Sequence, residues 1–127
     1  MPAQTDDTST WQYLGPAAQT VSDETITIYR GPVVMTNSIM NALLYVMAVN
    51  TAFTKGRSGQ LIGTFLRGSG NVFQDGVSAD NMTGTLGCVI ALAVDTVAQT
   101  MTVTAKGVKL TVINYRAMGY FRTLKVV

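Results

Sequence analysis

Thr100-Met101-Thr102-Val103-Thr104 alternates strictly between threonine and an apolar residue. Thr25-Ile26-Thr27-Ile28-Tyr29-Arg30 repeats the pattern near the other end of the chain. β-Branched residues at a period of two mark strands that lay one face on a core. Outward from these, Leu61 to Leu66, Val89 to Val94 and Val108 to Asn114 also read as strands. Tyr120 to Val127 reads as a last strand, after a bend at Gly119. Gly31-Pro32 ends the strand that begins at Thr25, and Val33 to Met35 is a short second strand. Lys55 to Gly59, Gly68 to Asn71, Gln74 to Gly76, Asp95 to Gln99 and Lys106-Gly107 punctuate the chain as turns or loops. Asp75-Gly76 fits a tight turn with positive φ. Short strands at this spacing predict a mainly β fold of two packed sheets, a sandwich of which the jelly roll is one form.

Thr36 to Phe53 satisfies two periods at once. Thr36 or Asn37 is a fair helix cap, and Ile39, Met40, Leu43, Leu44 and Met47 follow at helical spacing. Tyr45, Val46 and Val49 favour instead a strand buried on both faces. The expectation is a short helix leading into a strand, so at most one short helix in the whole chain.

The chain has 127 residues, of which 47% are hydrophobic and only 13% charged. A soluble domain ordinarily carries about 25% charged residues. Length fits a single domain able to bury a core without staples. No apolar stretch approaches the ~20 residues of a membrane span, and the opening Met1 to Asp7 lacks the basic and apolar regions of a signal peptide. Low charge without a span implies that part of the surface is covered by neighbouring subunits, since obligate interfaces are depleted in charge. The chain is acidic in front, with Asp6, Asp7, Asp23 and Glu24, and basic behind, with Lys106, Lys109, Arg116, Arg122 and Lys125. That distribution suits pairing of the two ends, within one subunit or between neighbours.

Residues 1 to about 22 are polar and without clear period, and read as an extended arm preceding a β domain over 23–127. Trp11, Tyr13 and Leu14 are its large apolar groups, and such aromatics serve as anchors on a partner surface. The arm is expected to be ordered mainly by contacts outside its own subunit.

Chemistry is sparse. The chain has no histidine, which removes the commonest general base and the Ser-His-Asp and Cys-His arrangements. With one cysteine, Cys88, an ordinary zinc site is excluded as well. Cys88 sits in the apolar run Leu86 to Ile90 and reads as buried and inert. Asp75, Asp80 and Asn81 do not match the spacing of a calcium loop. Net charge is +2, and Lys55, Arg57 and Arg67 beside Phe53 and Phe65 are too sparse for a nucleic-acid stripe. No catalytic, metal or cofactor-binding residue is expected, and no nucleic acid, membrane or small-molecule substrate.

The polar arm with Trp11 and Tyr13, the low charge and the Thr- and Val-rich β body such as Thr100 to Thr104 resemble the small cement or decoration proteins of tailed-phage capsids. The resemblance is one of type across the chain. It implies a structural virion protein, assembled in the host cytoplasm, that binds itself and a major capsid protein, bridges the shell subunits and stabilises them. It carries over no site residue. Two other functions share the composition: a β-sandwich module that binds a glycan or receptor through exposed aromatics such as Tyr115, Tyr120 and Phe121, and a tail-tube or fibre subunit.

Overall fold

The computed structural model describes residues 9–126, with side chains from Gln12 onward. The described chain is all β, with no helix. In chain order the strands are β1 (Ser9–Leu14), β2 (Ala18–Thr20), β3 (Thr25–Val33), β4 (Ser38–Asn50), β5 (Gly56–Arg67), β6 (Phe73–Gln74), β7 (Ala79–Gly84), β8 (Val89–Asp95), β9 (Thr100–Lys106) and β10 (Ile113–Lys125).

Two antiparallel sheets form a sandwich. The larger runs β1-β10-β4-β5-β6, with β2 also on β10 and β7 also on β5. Since β1 and β2 share one edge of β10, and β6 and β7 one edge of β5, this sheet is five strand positions wide. The smaller sheet runs β3-β9-β8. The two alternating stretches that open the sequence analysis are thus hydrogen-bonded neighbours, with Thr27 opposite Thr104 and Arg30 opposite Thr102.

The inner face of the large sheet carries Met40, Ala42, Leu44, Val46 and Ala48 from β4, Leu61 and Phe65 from β5, and Ile113, Tyr115, Ala117 and Phe121 from β10, all buried. The small sheet answers with Tyr29, Ile90, Leu92, Met101, Val103 and Ala105. A register shift between Thr27 and Tyr29 lets the adjacent Ile28 and Tyr29 both be buried, as an extra residue in a bulge allows. The Tyr29 ring stacks on Phe121 at 6.1 Å, and its hydroxyl donates to the Tyr13 carbonyl at 2.9 Å. Gly119 makes room for this: a Cβ there would lie 2.5 Å from the Phe121 ring and 2.6 Å from the Tyr29 hydroxyl.

Five expectations are corrected. Gly31-Pro32 does not end the strand that begins at Thr25, because β3 runs through both residues to Val33 with a register shift beside them. Residues 38–50 form one thirteen-residue strand with no helix before it. Its side chains alternate inward and outward, and it pairs along its whole length with β10 and almost all of it with β5. Residues 56–59 belong to β5, and the turn falls at 51–54, where the Asn50 side chain accepts from the Thr54 and Lys55 amides. Val108 to Leu110 turn rather than extend, with Leu110 at φ 58° and exposed. Gly119 does not bend the chain but lies inside the continuous strand β10. Gly76 does take the positive φ expected of it, 79°.

The N-terminal segment also differs from expectation. Residues 9–14 pair with β10 of the same chain, from Ser9 opposite Thr123 to Leu14 opposite Met118. Backbone hydrogen bonds inside the subunit therefore order the part of the arm that the structure describes. Residues 1–8 lie outside the described residues.

Candidate functional site: the outer face of the large sheet

Antiparallel partners share a face, and successive residues alternate faces. The inward set above therefore fixes the outward set. On β4 it is Ile39, Asn41, Leu43, Tyr45, Met47 and Val49. Opposite these on β5 stand Leu66, Thr64, Ile62, Gln60, Ser58 and Gly56, and on β10 stand Leu124, Arg122, Tyr120, Met118, Arg116 and Asn114. Leu14 extends the row beyond Met118.

A one-sided antiparallel sheet normally presents polar residues to water. This one presents a band of large apolar groups along its centre. Met47 is 64% exposed, Leu14 53% and Tyr45 40%. The rings of Tyr45 and Tyr120 meet edge to face at 5.6 Å, and the Gln12 amide donates to the Met118 sulfur. Two depressions indent the band and share Met47 and Ser58 as a common wall. One lies among Tyr45, Met118 and Tyr120. The other, of about 750 Å³, lies among Val49, Lys55, Asn114 and Arg116.

Charge is scarce on this face. Arg116 and Arg122 are the charged residues at its outward positions on β4, β5 and β10, and none there is acidic. Arg116 donates through Nε to the Gly15 carbonyl at 2.7 Å, which holds the guanidinium over the break between β1 and β2. The face spans roughly 20 Å by 40 Å, from five strand positions and the length of β4 at ordinary strand spacings. That projection, of about 800 Å², equals what one partner buries in a standard protein interface.

Of the arm residues singled out in the sequence, Leu14 points outward and joins this band. Tyr13 turns to the inner side, where its ring meets Tyr29 edge-on at 5.8 Å, and it is still 52% exposed. The Trp11 side chain lies outside the described set; its backbone pairs with Phe121. The aromatics suggested for a binding module do not gather: Tyr115 and Phe121 are core, and only Tyr120 reaches the outer face. Tyr45 and Met47 were visible in the sequence only as part of an ambiguous apolar run. The alternation along β4 would have marked them, had the strand been recognised.

The rest of the molecule offers little chemistry. Among the described residues no group of three acidic, cysteine or histidine side chains could hold a metal. Asp95 pairs with Arg30 at 2.5 Å and also accepts from the Val97 and Ala98 amides. These amides and Arg30 hold its carboxyl below the ordinary carboxylate range. Cys88 is buried, and burial pushes its thiol up against a smaller opposing effect of Arg57. Thr20 and Tyr115 hydroxyls pair at 2.9 Å within the same end of the core. Among the described residues no helix is long and apolar enough to cross a membrane.

No protein-family model matches the chain, and no curated protein matches it. Among solved structures, the tailspike protein of Acinetobacter baumannii phage AM24 aligns with 93% of this chain and 26% of its own, at 11% identity and a TM-score of 0.44. The chain spans about a quarter of that protein's length.

Proposed function

We propose that the chain is a structural subunit of a symmetric virion assembly, a cement or decoration protein that bridges and stabilises major capsid subunits. The observation that carries this reading is the apolar outer face of the large sheet around Tyr45, Met47, Met118 and Tyr120. A contiguous band of exposed large apolar side chains on a folded domain marks a surface that a partner covers. Burying a large side chain contributes ~1.5–3 kcal/mol, so a cluster of them offsets much of the cost of association. The role is mechanical: every subunit that covers two neighbours adds contacts that must break before the shell comes apart. Leu14 extends the same band, which supports its reading as an anchor; Trp11 and Tyr13 are proposed as anchors on the other side of β1.

Met47→Glu tests the reading, because it places a charge in the centre of the band without touching the core. Smaller assemblies and loss of binding to shells by a variant that melts like wild type support it. Unchanged association refutes it. The depression beside Val49, Lys55 and Arg116 favours one second reading, a module that binds a ligand. That reading predicts a monomer that binds a glycan or receptor and leaves the band open to water.

A further inference from the structure

A sheet edge displays unpaired amides and carbonyls, and native proteins blunt such edges with bulges, prolines, breaks or charges. Three of the four edges in this sandwich carry such devices. β3 has two register shifts and contains Pro32. The β1/β2 edge is broken at Gly15-Pro16-Ala17. The β6/β7 edge is broken between Gln74 and Ala79 and carries Asp80.

β8 has none of them. It pairs with β9 through seven consecutive residues without a shift. Val89 to Val94 contains no charge, no proline and no glycine. Among the described residues nothing pairs with its other side. Its outward row is Val89, exposed at 60%, then Ala91 and Ala93.

We propose that β8 is an interface strand that pairs antiparallel with β8 of a second copy. The two three-stranded sheets then join into one of six strands across a two-fold axis. An isologous contact sets a surface against itself, so it must tolerate self-juxtaposition. This strand does: its one charged residue, Asp95, is already paired with Arg30. Ala91 and Ala93, at the centre, are small enough for two such rows to lie side by side. The outer face of the large sheet is less suited to self-pairing, since its outward positions on β4, β5 and β10 carry Arg116 and Arg122 and no acid that a copy could offer them. The edge and the face are therefore distinct contacts, one to a second copy and one to the remainder of the assembly. This rests on the reading of the chain as an assembling subunit and names the partner of one of its surfaces.

The test is amide hydrogen exchange on the full chain, beside light scattering, for wild type and for the double variant Ala91→Lys, Ala93→Lys. Both lysines stand on the solvent side and leave the core intact. In wild-type protein every amide from 90 to 94 is expected to be protected in the assembled state. On dilution to single subunits every second one should lose protection. The lysine variant should show that alternate pattern at all concentrations, with loss of the dimeric step in mass. An alternate pattern in an assembled wild type overturns the β8 contact and leaves the assembly reading standing. A wild type that is monomeric throughout overturns both. If the lysine variant does not fold, the wild-type exchange pattern alone decides.

Discussion

The ring of Tyr45 meets the ring of Tyr120 edge to face at 5.6 Å across neighbouring strands, on the side of the sheet away from the core. Neither residue supports the sandwich from within. Aromatic pairs of this geometry contribute ~0.5–1.5 kcal/mol beyond their buried area, and here the pair lies within a band that includes Met47, Met118 and Leu14. Met47→Glu should thus change the stability of the isolated subunit by no more than ~0.5 kcal/mol, as expected for a surface position, while removing the contacts of this face, so that no species larger than the β8-joined pair remains. Thermal unfolding beside light scattering checks both halves.

Gly119 supports the opposite face. Gly119→Ala places a Cβ 2.5 Å from the Phe121 ring and 2.6 Å from the Tyr29 hydroxyl. Neither ring can withdraw from the packed centre, so overpacking should cost ~1–3 kcal/mol. A lower midpoint in urea with an unchanged slope would show this.

Deleting residues 1–14 should destabilise the free subunit. The deletion removes the six-residue ladder of β1 on β10 and the Tyr13 carbonyl that accepts from the buried Tyr29 hydroxyl. A buried donor left without its acceptor costs ~1–3 kcal/mol. Circular dichroism during heating measures the shift. A truncated domain as stable as the full chain would contradict the pairing.

Alkaline pH should unfold the protein early. Burial raises the Tyr29 phenol well above its ordinary value, and burial also raises Tyr115 and Cys88. The unfolded chain then releases protons that the folded chain retains. Unfolding thus becomes easier as pH climbs through the ordinary thiol and phenol values, ~8.5 and ~10. Below that range these groups are protonated in both states and contribute no pH dependence. A denaturant series from pH 7 to 11 checks the sign. Cys88 should likewise resist thiol reagents in the native state and react once the protein is unfolded.

Strands with a threonine row opposite their core row were legible in the sequence: Thr25 and Thr27 are exposed, and Thr100 and Thr102 take the same row of β9 although they are buried between its neighbouring strands. Residues 38–50 were not. Their outward row, Ile39, Leu43, Tyr45, Met47 and Val49, is nearly as apolar as the inward row. Apolar residues drawn from both faces then also satisfy helical spacing. What concealed the strand is the property that makes its outer face a candidate interface. Val108 to Asn114 was misread for a different reason: β-branched residues there coincide with a turn closed by the Thr111 amide on the Val108 carbonyl. The meeting of Tyr45 with Tyr120 depends on the register of β4 against β10, which no local pattern carries. Nor does composition show that residues 9–14 find their partner in β10, since Ser9 and Thr123 lie far apart in the chain.

The most direct test of the account is the mass of the purified full chain in solution, by light scattering across a range of concentrations, beside Met47→Glu. The account predicts a defined multiple of the 13.6 kDa subunit for wild type and a smaller species for the variant, with equal melting curves. A wild type that remains at 13.6 kDa at every concentration, or a variant that assembles as wild type does, would contradict it.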